Sequence, residues 1–251
     1  MTSSIIPPLH KKTRTGPSFF LVGPAVFPMT DSGMKEINKK QKPSLYLGGI
    51  CFLTGECSRC GLSAASQGRA AIEAGIKWVQ LRMKDAPRKD VWEAALYLGG
   101  LAREHGATLI INDYPDVALA AGADGVHLGQ DDMPLEEARL VMGGKLIGIS
   151  THDMAQAKEA WAGGADYIGF GPVYRTDTKD AGPEKGIPAL AEICGAVKIP
   201  VVAIGGITLQ NVRQAIGAGA GAVAVSSALY TGDIRESAGR FLEILKDLQD
   251  L

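Results

Sequence analysis

From residue 46 onward, short apolar or β-branched runs alternate with longer segments in which apolar residues recur at helical spacing. The short runs predict eight strands: Cys51–Thr54, Trp78–Arg82, Thr108–Asn112, Gly125–Leu128, Leu146–Ser150, Tyr167–Gly171, Val201–Gly205 and Ala222–Ser226. The longer segments predict helices that include Ser63–Ala74, Lys89–His105, Leu135–Met142, Met154–Ala162, Pro188–Ala196, Leu209–Ala218 and Asp233–Leu248. This alternation is typical of an α/β protein with a parallel sheet.

Glycines mark the predicted turns from helix to strand, at Gly75, Gly106, Gly122, Gly164 and Gly219. Glycine accepts the left-handed conformation that often ends a helix. Three turns have similar sequences: Ala-Gly-Ala-Asp-Gly at 121–125, Gly-Gly-Ala-Asp-Tyr at 163–167 and Ala-Gly-Ala-Gly-Ala at 218–222. The repeated βα unit predicts a single (β/α)8 TIM barrel. A doubly wound open sheet with one helix fewer is the alternative.

The positions of the polar residues favour the barrel, in which functional residues lie at the C-terminal ends of the strands. Gln80, Arg82 and Lys84 alternate at the end of the second predicted strand, and their side chains are expected on one face. A cluster of two cations and an amide suits a polyphosphate. Other strand ends carry Asn112-Asp113, Gln130-Asp131-Asp132, Ser150, Thr176–Lys179, Gly205-Gly206 and Ser226-Ser227.

Asp113 and Asp132 follow different strands, so a barrel could bring both carboxylates to one point. Carboxylate oxygens are preferred ligands of Mg²⁺, which needs few protein ligands when a phosphate supplies others. Each aspartate could instead cap a helix, and for Asp113, just before Pro115, capping is a serious alternative.

The sequence Gly205-Gly206-Ile207-Thr208 predicts a turn into a helix capped by Thr208. Its backbone N–H groups suit a phosphate, although a Gly-Gly pair is also common in turns without a ligand. Ser226 and Ser227 would add hydroxyl donors. His127, inside a predicted strand, is expected to be a hydrogen-bonded wall residue rather than a catalytic base.

The first 45 residues differ from the rest. Residues 1–43 contain seven Lys or Arg against two acidic residues, whereas the whole chain has a net charge of −1. We predict that residues 1–45 are a disordered extension and that 46–251 form the barrel domain. A signal peptide, or a start at Met34, is an alternative for the extension.

Four cysteines give no disulfide framework, which favours a reducing compartment such as the cytoplasm. Cys57-x-x-Cys60 is half of a zinc pattern, and loop cysteines are favoured over a metal or redox role. Neither the net charge nor any apolar run indicates a nucleic-acid or membrane partner.

Residues 46–248 resemble thiamine phosphate synthase. The resemblance rests on six segments: Gln80–Lys84, Ile111–Asp113, Asp124–Asp132, Gly148–Ser150, Gly171–Tyr174 with Thr176–Lys179, and Ala203–Ile207. The family joins a hydroxymethylpyrimidine diphosphate to a thiazole phosphate and releases pyrophosphate. Two phosphorylated small molecules are therefore the expected partners, and the sequence gives no indication of oligomeric state.

The resemblance also implies residue roles. Mg²⁺ would be bound by Asp113 and Asp132, and Arg82, Ser150 and Lys179 would be catalytic. The pyrimidine diphosphate would be held by Gln80, Leu81, Arg82, Met83, Lys84, Asn112, Ser150 and Lys179. The thiazole phosphate would be held by Thr176, Asp177, Thr178, Gly206, Ser226 and Ser227. One departure concerns Thr54, which is followed by Gly55-Glu56 where the family usually has an aspartate.

Two alternative functions are compatible with the sequence. A thiazole tautomerase-like relative would share the barrel and phosphate site and use a histidine for proton transfer, without needing Arg82, Lys84, Asp113 and Asp132 together. A non-catalytic phosphate-ligand barrel would have no reason to keep Mg²⁺ ligands opposite a leaving group.

Overall fold

The computed structural model describes residues 47–55, 61–176, 182–230 and 232–249. Eight strands are present: β1 (Gly49–Leu53), β2 (Trp78–Leu81), β3 (Thr108–Asn112), β4 (Gly125–Leu128), β5 (Leu146–Thr151), β6 (Tyr167–Phe170), β7 (Val201–Ile204) and β8 (Ala222–Val225). A helix follows each strand: α1 (Ala64–Glu73), α2 (Arg88–His105), α3 (Pro115–Ala120), α4 (Leu135–Met142), α5 (Met154–Ala162), α6 (Gly186–Ala196), α7 (Val212–Gly217) and α8 (Ile234–Gln249).

The strands are parallel and pair in chain order into a closed barrel. Closure is made by β1 and β8, where Ile50 lies beside Val223 and Phe52 beside Val225. This pairing confirms the (β/α)8 barrel and excludes the open doubly wound sheet. The predictions for residues 1–45 and for Cys57 and Cys60 lie outside the described residues. Within the described ranges, no helix is both long and apolar enough to cross a bilayer.

Two core layers follow from the alternation of side chains along each strand. Outward positions such as Val79, Leu81, Ile147 and Phe170 pack against the helices and are almost completely buried. Inward positions such as Trp78, Ile110 and Leu146 form a separate cluster inside the barrel. The strand sequences are almost continuously hydrophobic because each parallel strand is covered on both faces.

The glycine turns are as predicted: Gly75, Gly106, Gly122, Gly164 and Gly219 all have positive φ. The repeated Ala-Asp pair has a structural explanation. The Asp124 carboxylate, just before β4, accepts the Leu109 N–H of β3 at 2.8 Å, and Asp166, just before β6, accepts the Ile147 N–H of β5 at 2.9 Å. Each aspartate therefore joins the beginnings of two neighbouring strands.

One helix was not predicted, and one predicted helix cap was wrong. The six-residue helix α3, with Pro115 in its first turn, was not predicted because it is too short to show a helical period. Thr208 does not cap α7, whose N-cap residue is Asn211. The Asn211 side chain instead accepts the Thr208 N–H at 2.7 Å and donates to the Gly206 carbonyl at 2.9 Å, which closes the turn before the helix begins.

Candidate active site

The inward side chains change from apolar to polar along the barrel axis. We call the apolar cluster the floor; its larger members are Cys51, Trp78, Ile110, Leu146, Tyr167 and Val202. Nearer the C-terminal ends of the strands lie Gln80, Asn112, His127 and Ser150, which we call the mouth layer. The predicted one-sided distribution of functional side chains therefore corresponds to one end of the barrel.

Gln80 and Asn112 form a pair in the mouth layer. Gln80 Nε2 donates to Asn112 Oδ1 at 2.7 Å, and both side chains are buried. Because β2 and β3 are neighbours, two residues far apart in sequence meet; Gln80 lies beside Ile110 in the register, and its side chain reaches Asn112 two residues further along β3. The bond fixes both amide planes before any ligand binds.

Strand β2 ends at Leu81, so the alternation predicted to continue to Lys84 stops at Gln80. Arg82 and Lys84 lie in the following turn, and both positive charges act on Asp113. Buried Thr54 anchors this turn, because its Oγ1 accepts the Arg82 N–H at 2.9 Å. The Leu81 side chain faces the helices and the residue is completely buried, which disfavours a direct contact of this side chain with substrate.

Met83 is partly buried against the same outer core as Leu81. Its side chain therefore contributes to the packing of this turn.

The predicted convergence of Asp113 and Asp132 is present, since their side chains share a hydrogen bond. Asp113 is the only non-glycine residue in the described ranges with positive φ, at 67°. Asp132 is held by the Gly129 N–H, which donates to Oδ2 at 2.6 Å. Neither aspartate caps a helix, because the N-cap residues of α3 and α4 are Tyr114 and Pro134.

Burial, followed by the charge and hydrogen bond of Asp132, raises the pKa of Asp113 to about 6, while the cations of Lys84 and Arg82 oppose the shift. Two carboxyl groups so close together concentrate negative charge that a divalent cation would relieve. No group of three or more His, Cys, Asp or Glu converges in the described part of the chain. The pair suits Mg²⁺, which commonly uses one or two carboxylates together with phosphate oxygens and water.

His127 is a wall residue, as predicted. Its Nδ1 lies 3.1 Å from the Tyr167 hydroxyl and its Nε2 lies 2.9 Å from Ser150 Oγ. Burial lowers the pKa of His127 to about 4, although the charge of Asp132 opposes the shift. The imidazole is therefore neutral at physiological pH, and both of its nitrogens are engaged. Gln130 also fixes Ser150, because its Nε2 donates to the Ser150 carbonyl at 2.6 Å.

The loops after β6 and β7 lie against each other. The Val173 N–H donates to the Ile204 carbonyl at 2.8 Å, and the Tyr174 N–H donates to the Gly205 carbonyl at 3.1 Å. Gly206 has φ of 65°, and a Cβ there would lie 2.5 Å from the Arg175 carbonyl oxygen, so this close approach requires glycine. Thr176 is thereby placed beside the glycine turn.

Ser226 and Ser227 follow β8 at the same end of the barrel; Ser226 is partly buried and Ser227 is exposed. Asp177, Thr178 and Lys179 lie outside the described residues, so their predicted roles stay predictions.

Sequence analysis missed two residues that support the first wall of the mouth. Gln67 is completely buried and binds Gly55 twice, donating to its carbonyl at 2.8 Å and accepting its N–H at 3.0 Å. The Tyr230 hydroxyl donates to the same Gln67 oxygen at 2.7 Å. A fully buried glutamine is unusual, but its burial could not be read from the polar side of an amphipathic helix.

A separate cleft of about 200 Å³ lies at the other end of the barrel. It is lined by Gly49, Ile50, Gly75, Lys77, Leu242, Leu245 and Lys246. It contains none of the predicted site residues, and the Lys77 ammonium already donates to the His105 carbonyl at 2.6 Å. The convergence of polar side chains, rather than the size of a cavity, therefore identifies the candidate active site.

Fold and site together define a (β/α)8 barrel in which an acidic pair and two cations gather at the C-terminal ends of the strands. Within that class, the chain belongs to the thiamine monophosphate synthase family, whose model matches residues 50–229.

Individual relatives agree with this assignment. The chain is 46% identical over 190 residues to a thiamine-phosphate synthase from Chloroflexus aurantiacus, covering 74% of this chain and 88% of the relative. It is 40% identical over 213 residues to one from Pyrococcus horikoshii, covering 84% and 99%. Among solved structures, thiamine phosphate pyrophosphorylase from Pyrococcus furiosus is similar with a TM-score of 0.73 and 36% identity, covering 80% of this chain and 96% of that one. The resemblance inferred from the six segments is confirmed.

Proposed function

We propose that this protein is a thiamine-phosphate synthase. It would join 4-amino-2-methyl-5-hydroxymethylpyrimidine diphosphate to 4-methyl-5-(2-phosphoethyl)thiazole, giving thiamine phosphate and pyrophosphate. Family membership supports the reaction class. The observation that carries the proposal is the Asp113–Asp132 pair, which shares a hydrogen bond within reach of the charges of Arg82 and Lys84.

Asp113 and Asp132 are the residues that would hold Mg²⁺. The raised pKa of Asp113 is consistent with this assignment, since it reflects burial of the carboxyl and, after that, the charge of Asp132, which the cations of Lys84 and Arg82 offset only in part. When bound, Mg²⁺ would supply electrostatic stabilisation of the departing pyrophosphate.

The remaining chemistry belongs to the side chains around the pair. Arg82, Lys84, Ser150 and Lys179 would stabilise the negative charge that develops as the C–O bond to the pyrophosphate breaks. The hydrogen-bonded Gln80–Asn112 pair would hold the pyrimidine diphosphate, and its fixed geometry would favour the reactive alignment.

The attacking atom is a thiazole ring nitrogen with a free lone pair, so the reaction requires no general base. His127 fits this requirement, because Tyr167 and Ser150 occupy its two nitrogens. The same observation disfavours His127 as the proton-transfer residue that the tautomerase-like alternative would need.

The thiazole phosphate would bind on the opposite side, to Thr176, Asp177, Thr178, Gly206, Ser226 and Ser227. The packing of Gly206 against the Arg175 backbone supports this grouping, since it places the loop after β6 beside the turn after β7. A reducing compartment, the cytoplasm, is proposed for the protein from its few cysteines.

The decisive experiment combines both phosphorylated substrates with Mg²⁺ and follows thiamine phosphate and pyrophosphate together. Equal amounts of the two products are expected, and chelation by EDTA should abolish both. Interconversion of thiazole tautomers without condensation would identify the tautomerase-like alternative instead. Ligand binding with neither reaction would identify the non-catalytic barrel.

Lys179→Ala separates the two substrate sites. It should weaken pyrimidine diphosphate binding or turnover while leaving thiazole phosphate binding close to that of the unmodified protein. Titration of each substrate alone measures the difference, with Lys198→Ala, in the turn before β7, as a control for loss of a positive charge. Equal losses for both substrates would contradict the role assigned to Lys179.

A further inference from the structure

Three side chains from three neighbouring strands form a hydrogen-bonded chain from the floor to the mouth. Tyr167 of β6 binds His127 of β4 at 3.1 Å, and His127 binds Ser150 of β5 at 2.9 Å. Tyr167 and His127 are buried, whereas Ser150 is partly exposed at the mouth. A substitution at buried Tyr167 can therefore affect Ser150, which is the member of the chain that a ligand can touch.

Two glycines provide the space for this chain. A Cβ at Gly148 would lie 2.0 Å from the Tyr167 ring, and a Cβ at Gly169 would lie 3.3 Å from the His127 ring. Gly148 pairs with both His127 and Tyr167, and Gly169 pairs with Ser150. The two large rings thus occupy the volume that side chains on β5 and β6 would otherwise take.

The direction of the hydrogen bonds follows from burial. In the described part of the chain, His127 Nδ1 is the hydrogen-bond partner of the Tyr167 hydroxyl. If Nδ1 carried the proton and donated to Tyr167, the phenolic hydrogen would be buried without an acceptor, which costs free energy. The phenol therefore donates to Nδ1. Because the ring is neutral, its single proton is on Nε2.

We infer that Tyr167 is a positioning residue, which acts through His127 to make Ser150 a hydrogen-bond donor to an anionic group at the mouth. With the proton on Nε2, His127 donates to Ser150 Oγ, and the Ser150 hydrogen is left to point towards a ligand. With the other tautomer, Ser150 would donate to His127 and present only lone pairs, which repel an anion. The identity of that anion as a diphosphate rests on the proposed function.

The tautomer can be measured without any substrate. Nuclear magnetic resonance of the full chain labelled with ¹⁵N-histidine should show His127 with an unprotonated Nδ1 and a protonated Nε2 at neutral pH. The signal is assigned by its loss in His127→Gln. A protonated Nδ1 with an unprotonated Nε2 would overturn the inference, whatever reaction the protein catalyses.

Tyr167→Phe tests the coupling, because it keeps the aromatic ring against Trp78 and removes only the hydroxyl. The His127 spectrum should change towards a mixture of tautomers, and binding of pyrophosphate with Mg²⁺ should weaken roughly threefold to tenfold. Tyr174→Phe is the matched control, since its hydroxyl binds Gln214 at 3.2 Å away from the chain described above. It should change neither the spectrum nor the affinity.

A double-mutant cycle with Ser150→Ala separates this effect from a general loss of structure. In the Ser150→Ala protein, Tyr167→Phe should cause no further loss of pyrophosphate affinity, because the donor that it controls is absent. An equal loss in both backgrounds would show that Tyr167 does not act through Ser150. Failure of the unmodified protein to bind pyrophosphate would contradict the proposed function, while the tautomer would still be read from the spectrum.

Discussion

The floor and the mouth layer occupy the same barrel interior but use different interactions. In the floor, Trp78 packs edge-on against Tyr167 with ring centroids 5.0 Å apart. In the mouth layer, polar groups bind one another, as Gln80 binds Asn112 and His127 binds Ser150. Burial of apolar area stabilises the first region, whereas the second must satisfy each buried polar group to avoid a cost.

The two regions are only one pleat apart on several strands. Trp78 and Gln80 are two residues apart on β2, and Ile110 and Asn112 are two residues apart on β3. Because alternate residues of a strand share a face, a shift of two positions changes depth in the barrel and leaves the direction unchanged. Packing and polar contacts are thereby separated along one axis, and substitutions in each region should have separable effects except at Tyr167, whose hydroxyl is linked to the mouth through His127.

The largest expected effect comes from the mouth. Asp132→Ala should reduce Mg²⁺-dependent turnover by at least about 100-fold, because one of two proposed metal ligands is lost. The melting temperature should change little, since the partly exposed carboxylate makes only local contacts, with the Gly129 N–H and with Asp113. Steady-state kinetics and thermal unfolding measure the two quantities.

Asp132→Asn is the matched control, as it keeps an oxygen for the Gly129 N–H and loses the charge. It should be impaired almost as strongly as the alanine variant. Undiminished turnover in either protein would refute the metal assignment.

A substitution that crowds the floor residue Tyr167 should act on stability more strongly than Asp132→Ala does. Gly148→Ala would place a methyl group 2.0 Å from the Tyr167 ring, and such overpacking should lower the free energy of unfolding by about 2–3 kcal/mol. Denaturant titration measures the change. Gly144→Ala, where nothing lies within 4 Å of the added atom, should be nearly neutral. Equal stability of the two variants would mean that the floor is loosely packed.

A smaller effect concerns Asp113, whose ionised carboxylate should destabilise the folded protein. In the metal-free protein, Asp113→Asn should raise the free energy of unfolding by about 1 kcal/mol at pH 7, after allowing for partial exposure of the carboxyl. The folded-state pKa of about 6 exceeds the ordinary value of 3.8, so ionisation is disfavoured in the fold and the unmodified protein loses stability as pH rises through this interval. The facing groups are Asp132, Lys84 and Arg82.

Denaturant titrations in EDTA at pH 4 and pH 7 measure this effect, and the advantage of the variant should be much smaller at pH 4. Asparagine tolerates the positive φ at this position, whereas Asp113→Ala adds backbone strain and serves as the comparison. A variant less stable than the unmodified protein at pH 7 would show that Asp113 is a structural residue.

The barrel and the acidic pair could be predicted from sequence because both follow from local patterns. Strand length, helical period and turn glycines define the βα unit, and closure brings strand ends together. Asp113 and Asp132 therefore met as expected, although the sequence also allowed both to cap helices.

Other features depend on contacts that a local pattern does not contain. The hydrogen bond between Tyr167 and His127 joins residues 40 positions apart. The space for the Tyr167 ring exists because the strand register places Gly148 beside it. Thr208 is not the cap because the helix begins only at Val212, after a turn that the Asn211 side chain closes with the Thr208 N–H and the Gly206 carbonyl. Leu81 matches the family segment in sequence, yet strand alternation directs its side chain away from the mouth.

The aspartates that join neighbouring strands at the base of the barrel leave one repeat incomplete. At the start of β8, Gly221 occupies the place that Asp124 and Asp166 take before β4 and β6, and its N–H likewise donates to the preceding strand, at Val201. A Cβ added at Gly221 would make only ordinary van der Waals contacts, of which the shortest is 3.7 Å to Pro200. Gly221→Asp should therefore offer a carboxylate to the Val201 N–H and strengthen the β7–β8 seam by about 0.5–1 kcal/mol. The repeat within this chain would thus identify Gly221→Asp as a stabilising substitution without reference to any other protein.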